Sequence, residues 1–323
     1  RYPKRILAIS FKVDASRNLK ERVERRCGSD LASRFDSYTF HAFAKRIIDR
    51  FRPVLTGKNA LDAGYTIVDK KNGPSRTQIE FGDLVPLAIQ ILQSSKIARN
   101  AIRQTYSDIF LDEFQDCTNL QYDLVKLAFQ GTSLRLTAVG DTKQRIMGWA
   151  GAMHNAFDVF KKDFGIEQPN ELVSNRRSLK NLINYQRMME AFMNHADIKP
   201  DMMLIENEGS AKLLQFDESS IEGAYIALCI QQWIAEGVNE RDICILLRNP
   251  AKQYTDDIIS ALKNSEIQCR IENEYQDLLN EAVVQLLLQM LMFVCNRKSI
   301  ESWATTMELL CNIRGVSKRG DVT

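Results

Sequence analysis

The apolar positions of the chain fall into two periods that alternate along its length. Short runs, RILAIS (5–10), DIFL (108–111), LRLTAV (134–139), KLLQF (212–216) and DICILL (242–247), have the length and branched content of buried strands. Between them apolar residues recur every three or four positions, as in Leu19/Val23 and Ile221/Tyr225/Leu228, the period of one helix face. That alternation predicts an α/β fold in which parallel sheets are flanked by helices. A zone of Gly, Asn, Pro and Ser at 57–76 reads as the loops of an insertion after the first strand block. GIEQPNE (165–171) marks a boundary, beyond which strand and helix signals resume; from about residue 265 the pattern is helical to the end. The most apolar stretch, EAVVQLLLQMLMFVC (281–295), holds a Glu and two Gln and falls short of a membrane span, so a buried core helix is expected.

A chain of 323 residues is long enough for two domains with sizeable cores. Its composition, 45% apolar and 26% charged, is that of a globular protein, and the net charge of +2 leaves any anionic partner to local patches. One patch stands out: residues 1–52 hold fourteen Lys/Arg against six Asp/Glu, which fits either a solvated helix face or a surface for a polyanion. The seven cysteines are scattered, with no CxxC pair and no His at ligand spacing, which argues against zinc and for a reduced, cytoplasmic setting. No signal peptide is present, and an opening Arg in place of Met suggests that the N-terminus is not the native one.

Candidate chemistry centres on DIFLDEFQDCTNLQ (108–121). Asp108, Asp112, Glu113 and Asp116 surround an apolar run, and no basic residue lies between Tyr106 and Lys126. A strand ending in Asp-Glu delivers both carboxylates to the carboxyl edge of a sheet, where open α/β folds bind ligands. Such a pair suits Mg²⁺ held partly through water, with one acid left to orient a nucleophilic water. The alternative is a helix N-terminus, with Asp116 or Asn119 favouring its dipole. LRLTAVGDTKQRIMGWAGA (134–152) is a second strand that ends alike, in Gly-Asp, followed by a Gln and by a Trp in a Gly-flanked loop.

In these two blocks the chain resembles the superfamily 1 helicases of the UvrD/Rep/PcrA type. LDEFQD is similar to their Walker B motif II, and VGDTKQRIMGWAGA to motif III. In the same order, ILAISFKVDASRNLKERV (6–23) resembles motif Ia, YTFHAFA (38–44) motif Ib, VSNRRS (173–178) motif IV, and ICILLRN (243–249) the strand that follows. The resemblance implies two RecA-like P-loop NTPase domains with mostly helical insertions. The first would span 1–165, with an insertion at about 45–105; the second would span 166–280, and another helical insertion would begin at 281–323. It also implies an ATP-dependent enzyme moving 3′ to 5′ on single-stranded DNA and meeting single-strand/duplex junctions.

Residue by residue, the resemblance gives Asp112 a share in holding Mg²⁺ and Glu113 the orienting of the attacking water. Gln144 would sense the γ-phosphate, Asp141 and Arg176 would lie against the nucleotide, and Arg177 would be an arginine finger from the second domain. Phe11 and Trp149 would stack on bases, and Thr39 and His41 would contact the strand backbone. The sequence also departs from the pattern. These residues contain no GxxxxGK[ST] phosphate loop, and LTGKN (55–59) is no substitute; motifs V and VI are likewise absent, as expected for the middle of a longer enzyme. FKVDAS stands where the family has FTNKAA, Arg176 replaces the adenine-stacking Tyr, and Ala150 the Arg after the Trp. The alternative expectation is a weakly catalytic subunit of a larger nuclease or antiviral assembly.

Overall fold

The computed structural model describes residues 4–295 except 173, 200–204, 206–207, 248–251, 273–274, 276–277 and 280, together with 303, 306, 307, 309 and 310. The chain divides into two compact units, Arg1–Glu171 and Leu172–Thr323.

In the first unit the strands are β1 (Arg5–Ser10), β2 (Phe35–Thr39), β3 (Thr66–Val68), β4 (Gln78–Glu80), β5 (Tyr106–Leu111) and β6 (Arg135–Ala138). The helices are α1 (Val13–Ala32), α2 (Phe40–Phe51), α3 (Leu84–Ser94), α4 (Lys96–Thr105), α5 (Asn119–Phe129) and α6 (Ala156–Phe164). Four strands form one parallel sheet in the order β2-β1-β5-β6. The register sets Leu7 beside Ile109 and Ile9 beside Leu111. These four are fully buried and share a core with Phe43 and Ile47 of α2, Ile91 and Leu92 of α3 and Leu124 and Val125 of α5. The opposite face carries the next residues in register, Ile6 beside Asp108 and Ala8 beside Phe110. There Phe110 (40% exposed) and Val139 (45%) remain open, and among the described residues β6 has no strand on its outer side.

The sheet's amino edge is stapled by a buried carboxylate. Arg5 Nε and Nη2 donate to Asp36 at 2.7 and 2.6 Å, and the hydroxyls of Tyr106 and Tyr38 donate to it at 3.0 and 3.3 Å. Arg5, Asp36 and Tyr106 stand at the beginnings of β1, β2 and β5, so one anion ties three strands. The stretch 57–76 is more than loops: it contains β3, which pairs in parallel with β4 just beyond it, and Leu61, which joins the main core.

The second unit contains α7 (Lys180–Met193), α8 (Ser219–Ala235), α9 (Lys252–Asn264) and α10 (Ala282–Cys295). Helices α8 and α9 pack through Ala227, Ile230, Ile258 and Leu262. Gly223 lets them approach, since a Cβ there would stand 3.0 Å from the carbonyl oxygen of Asp257. Two expectations need correction. The runs 212–216 and 242–247 form no strand among the described residues, although Ile243 and Ile245 turn to the α8/α9 core and Leu246, at 90% exposure, turns away. Side-chain alternation is thus present without the ladder, because strand identity needs a paired neighbour as well as a period. Nor is α10 buried among the described residues: Val283, Leu287, Leu291 and Val294 are exposed, so an apolar sequence all round a helix does not by itself place it in a core. Among the described residues no helix is long and apolar enough to cross a membrane.

Candidate functional site

The carboxyl ends of β1, β5 and β6 are sewn together by backbone hydrogen bonds. Asp112 N donates to the Ile9 carbonyl at 2.9 Å, Val139 N to Leu111 at 2.8 Å, and Phe114 N to Val139 at 3.0 Å. Asp112 therefore leaves the sheet at its carboxyl edge on a fixed backbone. Glu113 follows in the left-handed region (φ 50°, ψ 42°), a conformation that costs a residue with a β-carbon about 1–2 kcal/mol and turns the chain sharply. Burial, and then the neighbouring Glu113 charge, raise the Asp112 carboxyl above its ordinary range. Asp108 finds its cation within the chain, Arg135 Nε at 2.5 Å, whereas Asp112 and Glu113 form no ion pair among the described residues. No cluster of three or more His, Cys, Asp or Glu suited to a metal exists among those residues. A pair of adjacent carboxylates fits Mg²⁺ on a polyphosphate, which draws its other ligands from phosphate and water.

Behind the pair lie two buried polar side chains. Gln115 donates through Nε2 to Glu113 Oε2 at 2.6 Å and accepts through Oε1 from Asp141 N at 3.1 Å. Asp116 accepts from Met147 N at 3.3 Å, at the root of the Trp149 loop. The helix-cap alternative for Asp116 and Asn119 is thereby corrected. The cap of α5 is Thr118, whose hydroxyl accepts from Gln121 N while Gln121 accepts from Thr118 N, a reciprocal box that the spacing T-x-x-Q could have announced.

Asp141 accepts from Lys143 N at 2.9 Å and from Gln144 Nε2 at 3.2 Å, so the acid folds its own loop. The next turn lifts the Trp149 ring to 84% exposure. Its root is held by Met153 N donating to the Cys117 carbonyl at 2.9 Å and by a bridge between Thr118 and Ala152. Phe11, half-buried, follows β1 directly. Thr39 ends β2 and caps α2, its Oγ1 accepting from Ala42 N at 3.2 Å. His41 stacks on Phe81 with ring centroids 4.2 Å apart, and burial lowers its pKa, which favours the neutral imidazole. Phe81, 56% exposed, was not singled out from sequence; forty residues from His41, it carries no signal of that neighbourhood. Arg176 and Arg177 are exposed in the second unit, where Asn175 Oδ1 accepts from Arg177 N at 2.9 Å and Ser178 N at 3.1 Å.

Residues 2–79 and 60–165 match the UvrD/REP helicase N-terminal domain, and residues 170–317 match the UvrD-like helicase C-terminal domain. The chain belongs to the UvrD/REP helicase family. The parallel sheet flanked by helices in the first unit, with the N- and C-terminal family domains both matched, is consistent with the two RecA-like domains of that family. Among UvrD/REP relatives, the chain is 25% identical to an ATP-dependent DNA helicase PcrA of Leuconostoc citreum over 68% of its length and 37% of the relative's. It is 28% identical to DNA helicase II of Haemophilus influenzae over 60% of its length and 26% of the relative's. A probable DNA helicase II homolog of Mycoplasma capricolum matches at 23% over 71% of this chain and 32% of that protein. The chain therefore spans between 26% and 37% of the length of these relatives.

Proposed function

We propose that this chain supplies the hydrolytic carboxylates and part of the DNA grip of an ATP-dependent helicase moving 3′ to 5′ on single-stranded DNA. The observation that carries the proposal is the Asp112–Glu113 pair, which has no ion-pair partner among the described residues and is joined through buried Gln115 and Asp116 to the loop bearing Trp149. Asp112 and Glu113 would hold Mg²⁺ on ATP, with Asp112 as the principal ligand. When bound, the metal nucleotide supplies a γ-phosphoryl group whose developing charge needs cationic stabilisation. Glu113 orients the water, Gln144 and Asp141 lie on the same sheet edge, and Arg176 and Arg177 serve the nucleotide from the second domain. Phe11 and Trp149 stack on bases while Thr39 and His41 contact the backbone, flanked by the basic excess of residues 1–52. The domain limits proposed are 1–165, 166–280 and an insertion from 281.

A second reading, a weakly catalytic subunit of a nuclease or defence complex, draws on the Lys12-Val13-Asp14 departure, with Val13 exposed, and on Arg176. Glu113→Gln in the full-length protein separates the two. Under the helicase reading it retains nucleotide binding while DNA-stimulated hydrolysis slows by at least about a hundredfold; turnover equal to wild type removes Glu113 from the mechanism.

A further inference from the structure

Gln115 is only 2% exposed, and both ends of its amide are used. Its partners fix the orientation: a backbone N–H can only donate and a carboxylate only accept, so Oε1 faces Asp141 and Nε2 faces Glu113. Gly140 makes the space, since a Cβ there would overlap Gln115 Oε1 and stand 3.0 Å from Phe114 N. Asp141 in turn holds Gln144. One side chain thus connects Glu113 with the loop that follows β6.

We infer that Gln115 is a positioning residue, which aims the Glu113 carboxylate and makes that aim follow the 140–144 loop. The inference rests on the hydrolytic reading of Glu113. With its backbone fixed in the left-handed region, Glu113 still has three side-chain torsions, and a charge-assisted bond of 2.6 Å selects among them. The bond occupies one carboxylate oxygen and leaves the other for water or metal. Because the amide oxygen is tethered to Asp141 N, any shift of that strand end moves the amide and the carboxylate with it. The rival role is purely architectural: Gln115 would close the seam between β5 and β6 through Asp141 alone.

The test uses the full-length protein and steady-state ATPase at saturating single-stranded DNA. Gln115→Met keeps the volume and removes both bonds; Gln115→Glu keeps the acceptor for Asp141 N and removes the donor to Glu113. Both should lower kcat about 10- to 100-fold, the usual effect of losing an outer-shell partner, with KM for ATP unchanged. In a Glu113→Gln background neither should lower kcat further. Full activity in Gln115→Glu, or an undiminished loss in the Glu113→Gln background, would overturn the inference. Should Gln115→Met melt far below wild type, the Gln115→Glu arm decides alone. Wild-type turnover in Glu113→Gln by itself would remove the hydrolytic reading, and the inference with it.

Discussion

Truncation of Trp149 to Ala separates grip from fold. The ring is 84% exposed, and the bonds that root its loop come from Asp116, Cys117, Thr118, Ala152 and Met153, none of them through the indole. Little buried area is lost, so stability should stay within about 0.5 kcal/mol of wild type. If the ring stacks on a base, its loss costs about 1–3 kcal/mol of binding, or roughly 5- to 150-fold in Kd. Fluorescence anisotropy with labelled oligothymidine at fixed salt measures this in the full-length protein. The salt dependence adds a second criterion: an uncharged ring displaces no counterions, so the slope of log K against log salt should not change. Trp149→Phe should lie between the two. A Kd within twofold of wild type would refute the stacking role, and a melting temperature lowered by many degrees would show the ring to be structural.

Arg177→Ala should lower DNA-stimulated ATPase by about 10³–10⁵ with the fold intact, and Arg177→Lys should also be impaired because it keeps the charge but not the bidentate fork. Wild-type rates in both would end the arginine-finger assignment. At the other end of the sheet, Asp36→Asn should destabilise the first unit by about 2–3 kcal/mol, the worth of charge-assisted hydrogen bonds discounted for a partly exposed Arg5. Burial raises the Asp36 carboxyl, but the hydrogen bonds and charge of Arg5, with Tyr106, outweigh it and hold the pKa below the usual range. A depressed folded pKa gives stability that is present above the unfolded value and lost as pH falls through the folded one. Thermal melts of wild type and variant should therefore converge on acidification, and a gap that persists to about pH 2 would exclude the ionised staple.

Period and order made much of the first unit legible. RILAIS became β1 residue for residue, DIFL extended back to Tyr106 as β5, and LRLTAV shortened to β6. By contrast β2, FDSYT, was not singled out, because its short run mixes polar and apolar residues. Its Asp36 is buried through an arginine 31 residues away, a partnership that no local window can contain. The second unit failed differently: Ile243 and Ile245 keep their alternation, but the ladder that defines a strand depends on neighbours as well as on period.

Legibility of the site divides along the same physical line. Adjacent carboxylates after an apolar run announce themselves, since few other arrangements concentrate uncompensated charge at a strand end. What aims them does not. Gln115 and Asp116 stand in the same six-residue block as Asp112 and Glu113, yet the partners that anchor them to the next strand end are Asp141 and Met147, 26 and 31 residues further on. The sequence spells the polar groups; only closure of β5 against β6 decides which are buried, and burial turns a glutamine into a tether. Gly140 shows the dependence most plainly. In the sequence it is the residue before an aspartate, whereas in the fold the atom it lacks is the one that would strike Gln115. A coupling of this kind exists between two strand ends and in neither one, so local chemistry can nominate the acids but only the tertiary fold can nominate what holds them.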